Sequence, residues 1–283
     1  MIQDQSLSSL ENEDIEIQLL LEAIFLKYGY DFRDYSKAHL KRRIKHRLSL
    51  AGFNSISQMQ HQVLYDRGFL DALLNDFSIN VTEMFRDPPF YKAFRQEVVP
   101  VLETYPFIKV WHAGCSSGEE VYSMAILLKE EGLYERTQIY ATDFNVEVLE
   151  KAKQAIYPID DIKDYTYNYQ KSGGTASFAD YYIARYDSVI LDQSLKKKII
   201  FADHNLVTDG IFGEMHLIIC RNVLIYFNKE LQNKVFKLFY ESLRNGGFLG
   251  IGTKESLRFS DYRDKFDIIS ENLRIYQKKF ELK

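Results

Sequence analysis

Two acidic residues in the middle of the chain have the spacing of a nucleotide-binding site. Glu120 follows the glycine-bracketed turn Gly114-Cys-Ser-Ser-Gly118, and Asp143 comes directly after an apolar stretch, 138–142, about 25 residues beyond the turn. Folds that bind dinucleotides place an acid at about this distance from a glycine turn, where it accepts hydrogen bonds from ribose hydroxyls. We therefore expect Asp143 to bind a ribose.

The glycine turn favours a positively charged ligand over a dinucleotide. Its pattern is Gly-x-x-x-Gly rather than Gly-x-Gly-x-x-Gly, and Glu119 and Glu120 stand where a pyrophosphate would meet negative charge. S-adenosylmethionine carries an adenosine end, an ammonium and a sulfonium, so it fits an acidic turn better. Two alternatives stay open: the glycines can serve tight strand–helix packing, and the glutamates can stabilise a helix N-terminus by about 0.3–1 kcal/mol each.

The composition is that of an ordinary globular protein that can bury a large core. The chain has 283 residues, 46% of them hydrophobic, and a net charge of −4. No apolar run approaches the roughly 20 residues that span a bilayer, and residues 1–14 lack the apolar centre of a signal peptide. We expect a cytoplasmic protein without membrane insertion. The two cysteines and six histidines are not spaced as metal ligands, so no metal site is expected.

Apolar periodicity divides the chain into a helical part and an α/β part. The predicted helices are 15–28, 36–50 with Ser36 as the capping residue and Gly52 just past the end, 56–65 and 69–77. From residue 108 strands alternate with helices, which predicts a mostly parallel, helix-covered sheet. The predicted strands are 108–112, 138–142, 198–202, 216–220 and 248–252, followed by an antiparallel edge hairpin over 272–280.

Residues 165–192 interrupt this alternation. The stretch is rich in tyrosine, contains Gly173-Gly174, and has β-favouring residues at 181–183 and 188–191. These features predict a small antiparallel subdomain inserted in the α/β part. The alternative is a long crossover loop.

The helix predicted over 36–50 is strongly basic. Residues 37–47 include six lysines or arginines, two histidines and no acid, so the rest of the chain carries about −10. Leu40, Ile44 and Leu48 recur every four residues, which buries one face and crowds the charges onto the others. Such a run can be a solvated face, but it also suits an acidic partner, either nucleic acid or an acidic protein surface. The overall negative charge argues against nucleic acid.

Three motifs in the chain resemble those of the CheR family of chemoreceptor glutamate methyltransferases. They are Asn80-Val-Thr-Glu-Met-Phe-Arg86, Gly114-Cys-Ser-Ser-Gly-Glu-Glu120 and Cys220-Arg-Asn-Val-Leu-Ile-Tyr-Phe227. The resemblance implies an α/β fold: a Rossmann-like class I methyltransferase domain with an inserted antiparallel β-subdomain at about 165–195. It also implies an all-α N-terminal domain before it. The implied boundaries are 1–90 for the helical domain and linker and 91–283 for the methyltransferase domain.

The resemblance also implies the site residues. The family's cofactor contacts fall on Asn80, Thr82, Arg86, Glu120, Asp143, Asn205, Leu206, Arg221 and Asn222. In these roles Arg86 or Arg221 would pair the methionine carboxylate, Glu120 would bind the ammonium, and the amide of Asn205 would suit the adenine edge. The family's tyrosine near the reacting methyl corresponds to Tyr226, which would share a helical face with Asn222 if a helical turn begins there. Together Tyr226 and Arg221 are the expected catalytic residues.

By resemblance the protein transfers a methyl group from S-adenosylmethionine to receptor glutamates, leaving S-adenosylhomocysteine. The acceptor carboxylate would attack the methyl in line, and because glutamate is already ionised at neutral pH no general base is needed. Arg43 and Arg47 match basic positions with which the family engages the cytoplasmic signalling region of receptors. No nucleic acid is expected as a partner.

The chain departs from the family pattern in two places. Val121 replaces a common proline, and Thr253-Lys-Glu-Ser256 replaces a His-Ser-Glu-like stretch. Neither is expected to touch the matched cofactor positions. The rival functions are a non-catalytic scaffold that binds S-adenosylmethionine and a methyltransferase for another acidic protein or for nucleic acid.

Overall fold

A computed structural model describes residues 2–78 and 82–280. The chain forms two compact units: one comprises residues up to 78 together with 226–232, and the other comprises 82–225 and 233–280. In the described part, no helix has the length and apolar character needed to cross a membrane.

The first unit is helical, as predicted. Its helices are α1 (Ile2–Tyr28), α2 (Lys37–Ala51), α3 (Ile56–Tyr65) and α4 (Arg67–Phe77). Gly52 ends α2 in the left-handed conformation with φ 69°, which an L side chain rarely adopts. Ser36 does occupy the N-cap position, but its hydroxyl makes no capping hydrogen bond in the described structure. Apolar residues of all four helices form the core, among them Ile24, Ile44, Val63 and Leu73.

A short segment from later in the chain belongs to this helical unit. The N–H of Ser36 donates to the carbonyl of Tyr226 at 2.7 Å, and the N–H of Asn228 donates to the carbonyl of Asp34 at 2.9 Å. Between these bonds Tyr35 and Phe227 form an isolated antiparallel bridge, with their rings 4.9 Å apart. The end of the third motif is therefore part of the helical unit, which the sequence did not indicate.

The second unit is built on a sheet. Its helices are α5 (Pro88–Ala93), a π-helical turn (Phe94–Val98), α6 (Val99–Leu102), α7 (Glu119–Glu130), α8 (Val146–Gln154), α9 (Ile162–Lys171) and, from residue 233, α10 (Lys229–Ser242). Its strands are β1 (Ile108–Ala113), β2 (Thr137–Asp143), β3 (Ile156–Pro158), β4 (Tyr182–Arg185), β5 (Ser188–Leu191), β6 (Ile199–Asp203), β7 (Met215–Cys220), β8 (Leu243–Ile251), β9 (Phe266–Ser270) and β10 (Ile275–Lys278).

The main sheet has seven strands in the order β6-β2-β1-β7-β8-β10-β9. The pairs from β6 to β8 are parallel, and β10 runs antiparallel to both β8 and β9. This confirms the mostly parallel sheet and the antiparallel return near residue 275. The hairpin at this edge consists of β9 and β10 and begins at Phe266, earlier than predicted: β9 is the edge strand, and β10 lies between β9 and β8. The strand order reverses beside β1, so the ends of β1, β2 and β7 border a crevice suited to a ligand.

The inserted subdomain is a three-stranded antiparallel sheet in the order β3-β5-β4. The strands predicted at 181–183 and 188–191 are confirmed as β4 and β5, and the crossover-loop alternative is wrong. The sheet begins earlier than expected, with β3 at Ile156, and the tyrosine-rich residues 162–171 form helix α9. Tyr165, Asn168 and Tyr169 are its buried residues, at helical spacing, so tertiary packing overrides the β-propensity of tyrosine.

Candidate functional site

The glycine turn is tied to the neighbouring strand through its backbone. After β1 ends at Ala113, the N–H groups of Gly114 and Cys115 donate to the carbonyl of Thr142 at 2.8 and 2.9 Å. Ser116 follows with φ 50°, and its N–H donates to Asp143 Oδ2 at 3.0 Å. The turn and the end of β2 therefore form one hydrogen-bonded unit at the crevice.

Both glycines of the turn are required by packing as well as by conformation. A Cβ on Gly114 would lie 2.6 Å from Cγ2 of Val223, and one on Gly118 would lie 3.0 Å from Cβ of Ala152; both glycines also have positive φ. The packing alternative that the sequence left open therefore accounts for the glycines. The acids around the turn, rather than the glycines, are therefore the residues that indicate a ligand site.

Asp143 ends β2 with its carboxylate turned back into the turn. The side chain is buried, and its Oδ1 accepts the N–H of Asn145 at 3.0 Å while Oδ2 accepts the N–H of Ser116. Burial raises the pKa of Asp143 above its ordinary value, although these backbone donors oppose the rise. A carboxylate oxygen accepts more than one hydrogen bond, so Asp143 retains acceptor capacity for ribose hydroxyls.

Glu120 lies in the first turn of α7, and its carboxylate contacts a histidine and an arginine. Its Oε1 lies 3.0 Å from Nδ1 of His112, and its Oε2 lies 3.3 Å from Nη1 of Arg221. Burial would raise the pKa of Glu120, but the bonds with His112 and Arg221 outweigh it and lower the pKa below its ordinary value. Glu120 is therefore a firmly ionised carboxylate, as an ammonium ligand requires. The helix-stabilising alternative does not explain partners on β1 and after β7.

Arg221 comes directly after β7, and only 1% of its side chain is exposed. Its Nη2 pairs with Asp87 Oδ2 at 2.5 Å, and its Nη1 donates to the carbonyl of Arg86 at 3.2 Å as well as to Glu120. The Nε of Arg221 is buried without a hydrogen-bond partner among the described residues, so pairing the methionine carboxylate with Arg221, as expected from the sequence, would use this N–H or displace one of the two acids. Arg86, which is half-buried, is the more accessible of the two arginines.

Asn205 and Leu206 form the turn after β6. The Oδ1 of Asn205 accepts the N–H of Val207 at 3.0 Å, and the backbone N–H of Asn205 donates to Asp209 at 2.8 Å. Leu206 is buried beside it. Because the side-chain oxygen already caps this turn, the NH₂ group is the part of the Asn205 amide best placed to meet an adenine edge.

The remaining predicted site residues lie in different parts of the structure. Asn80 lies outside the described residues. Thr82 is half-buried in the segment before α5, and Asn222 follows Arg221 with φ 63°. The condition for Asn222 and Tyr226 to share a helical face is not met: a short 3-10 turn spans Leu224–Tyr226, and α10 begins only at Lys229. Tyr226, in the helical unit, packs edge-on against His39 with the rings 5.4 Å apart.

Glu255 was not among the site residues predicted from the sequence. It is buried after β8, and its carboxylate accepts the backbone N–H groups of Asn222 and Ile225 at 3.1 and 3.3 Å. The expectation that the Thr253–Ser256 stretch does not touch the matched cofactor positions is therefore wrong. Its signal was a glutamate retained within an otherwise altered family motif.

Within the described residues, no group of three or more histidine, cysteine, aspartate or glutamate side chains could hold a metal ion. The donor set around the crevice consists of carboxylates and amides at the ends of parallel strands. This set fits a nucleoside with a cationic tail.

Comparisons with known proteins identify the family of the chain. A family model described as "CheR methyltransferase, SAM binding domain" matches residues 80–275, and one described as "CheR methyltransferase, all-alpha domain" matches residues 15–78. A Pseudomonas putida protein named "Putative methyltransferase Cher3" is 54% identical over 96% of this chain and all of its own length. A "Chemotaxis protein methyltransferase" of Listeria monocytogenes is 30% identical over 81% of this chain and 85% of its own, and that of Borreliella burgdorferi is 28% identical over 86% and 88%.

The fold and the site together define an S-adenosylmethionine-dependent methyltransferase of the Rossmann-like class, preceded by an all-α domain. The chain belongs to the CheR methyltransferase family. Its cofactor is S-adenosylmethionine.

Glu119 gives the site a testable pH dependence. Only 6% of the residue is exposed, its carboxylate accepts from Ser117 Oγ, and burial raises its pKa from 4.5 to about 7. The folded protein therefore binds a proton more readily than the unfolded chain. The stability linked to this proton is fully present below pH 4.5 and is lost as the pH rises through 7, by about 3 kcal/mol in all.

We expect the free energy of unfolding of wild type relative to Glu119→Gln to fall between pH 5 and pH 8.5, as measured by urea unfolding at each pH. Glu103→Gln, at an exposed position, controls for the loss of one carboxyl group. A difference between wild type and Glu119→Gln that does not change with pH would contradict the buried, protonated Glu119.

Proposed function

We propose that this protein methylates glutamate side chains of chemoreceptors in the cytoplasm, forming methyl esters for sensory adaptation. The observation that carries the proposal is the Glu120 carboxylate, held by His112 and Arg221 at the start of α7 within a CheR-family domain. The names of the Listeria and Borreliella relatives support a chemotaxis substrate. When bound, S-adenosylmethionine supplies an activated methyl group.

The chain's own residues would bind, orient and shield the reactants. Glu120 would bind the cofactor ammonium, Asp143 the ribose, and Asn205 with Leu206 the adenine, while Arg86 would pair the carboxylate. Because the acceptor glutamate is already ionised at neutral pH, no side chain has to remove a proton. Alignment of the acceptor is then the main contribution to rate, and Tyr226 is the proposed residue for it.

Helix α2 is the proposed receptor-docking surface, although half of its cations are already paired. Lys41 and Lys45 contact Glu13 at 3.3 and 2.8 Å, and Arg47 contacts Asp76 at 2.5 Å. Arg43 is different: it is half-buried and makes no ion pair among the described residues, and its Nε is buried without a hydrogen-bond partner. These contacts favour Arg43 over Arg47 as the residue that meets an acidic receptor helix.

The product chemistry tests the proposal directly. We expect the protein, incubated with methyl-labelled S-adenosylmethionine and the cytoplasmic region of receptors from the same organism, to label the receptor. The label should be released as methanol in mild base, because a carboxyl ester is base-labile. Base-stable label would indicate another acceptor, and absence of label from a protein that binds S-adenosylhomocysteine would favour the scaffold alternative.

Tyr226→Phe tests the alignment role. We expect kcat to fall about 10-fold or more, since small misplacements of reacting groups cost large factors in rate. The Kd for S-adenosylhomocysteine, measured by calorimetry, should stay within about threefold of wild type, because the phenol is proposed to act on the acceptor. Tyr186→Phe, at a 99% exposed tyrosine, is the matched control. Unchanged turnover would remove Tyr226 from the mechanism.

Arg43 and Arg47 are expected to respond differently to substitution. Arg43→Glu should raise the receptor KM about 10-fold and flatten its dependence on salt, with cofactor affinity unchanged, because attraction to an acidic helix is screened by ions. Arg47→Ala should instead lower the free energy of unfolding by about 1–3 kcal/mol, because it leaves Asp76 unpaired. Arg67→Glu on α4 controls for net charge. An equal KM effect from Arg67→Glu would contradict specific docking on α2.

A further inference from the structure

Glu255 is a buried carboxylate whose partners are backbone N–H groups. Its Oε2 accepts the N–H of Gly252 at 2.5 Å and that of Asn222 at 3.1 Å, and its Oε1 accepts the N–H of Ile225 at 3.3 Å. The backbone N–H of Leu224 adds to this set. Burial raises the pKa of Glu255, while these four donors act in the opposite direction. Three of these donors, Asn222, Leu224 and Ile225, belong to one turn.

That turn lies between residues on which the proposed reaction depends. It begins at Asn222, directly after Arg221, and both residues are matched to cofactor contacts; it leads through Ile225 directly into Tyr226 in the sequence. Asn222 has φ 63°, a left-handed conformation that asparagine adopts more readily than other L residues but that is uncommon outside glycine. Bonds from outside the turn therefore help to keep it in one conformation.

The turn is also confined on two sides by glycines. A Cβ on Gly114 would lie 2.6 Å from the side chain of Val223, and a Cβ on Gly252 would lie 2.9 Å from the backbone nitrogen of Asn222. Residues 222 and 223 therefore rest against the cofactor turn at one point and against the end of β8 at another. These steric contacts block movement of the turn in two directions, and the hydrogen bonds to Glu255 restrain its backbone in the other directions.

We propose that Glu255 is a positioning residue for methyl transfer: it fixes the turn 222–225 and so the start of the segment that carries Tyr226. This inference rests on the proposed function for its kinetic part. Its structural part, the anchoring of the turn, does not. Glu255 contacts neither cofactor nor acceptor in this scheme and acts only through the backbone it holds.

Glutamine is the informative replacement because it keeps the shape of the side chain. Both carboxylate oxygens of Glu255 face N–H donors, so either orientation of a glutamine amide sets its NH₂ group against at least one of them. Glu255→Asp keeps the charge with a shorter reach. The matched control is Glu271→Gln, which makes the same chemical change at an exposed position after β9.

The test combines amide hydrogen exchange with steady-state kinetics on the full-length protein. In Glu255→Gln we expect faster exchange confined to peptides covering 220–228 and 250–256, a kcat at least 10-fold lower, and a Kd for S-adenosylhomocysteine raised less than about fivefold. Glu255→Asp should recover part of both the protection and the kcat. Glu271→Gln should match wild type in all three measurements.

The outcomes separate this inference from the proposed function. Wild-type exchange rates in the 220–228 peptide of Glu255→Gln would overturn the anchor, and equal losses in kcat and cofactor affinity would overturn the positioning role. If the glutamine variant does not fold, the aspartate variant decides by the same criteria. If wild type forms no glutamate ester, the proposed function fails, and the exchange data still test the anchor.

Discussion

A guanidinium buried almost completely must be surrounded by acceptors, and much of the site depends on meeting this requirement for Arg221. Removing an unpaired ion from water costs several kcal/mol, so its partners have to be held in place by the fold. They come from separate parts of the chain: Asp87 precedes α5, Glu120 lies in the first turn of α7, and Arg221 itself follows β7 directly. The ring of Phe90 covers the guanidinium at 4.4 Å. Satisfying one charge thus brings together the segment before the sheet, the cofactor turn and the third motif.

The acids of the crevice differ in how their charge is balanced. Glu120 has His112 and Arg221 beside it, and its pKa is lowered. Burial raises the pKa values of Asp143 and Glu255, and only hydrogen-bond donors of the backbone oppose this rise. Burial also raises the pKa of Glu119, and there the opposing donors are the Ser117 hydroxyl and a backbone N–H. The protein therefore compensates one of these carboxylates with positive charge and the others only with neutral hydrogen-bond donors, an environment that suits a cationic ligand better than a phosphate.

Local pattern predicted most of the framework because its signals are short-range. The helices of the first unit and the five parallel strands follow from apolar periodicity and caps, and the acids at 120 and 143 follow from the strand–turn–helix spacing. What the sequence could not show depends on tertiary contacts. The α9 tyrosines prefer strands but bury their rings at helical spacing, and β9 carries no clear alternation. Asn222 adopts a left-handed conformation in a turn whose N–H groups bond to Glu255, 33 residues away. The acids that pair with Lys41 and Arg47 lie on other helices, so the sequence alone overstated how many cations of the basic helix are available to a partner.

The segment 226–232 has a consequence for how this architecture can be divided or recombined. The chain leaves the helical unit after residue 78 and returns to it for seven residues late in the sequence, where Phe227 is 5% exposed against Tyr35. A fragment that starts at residue 82 would carry this aromatic without its partner, and a helical fragment that ends at residue 78 would lack a piece of its own core. The helical unit is therefore built from two separate stretches of sequence, and both would have to be exchanged together to move it into another family member.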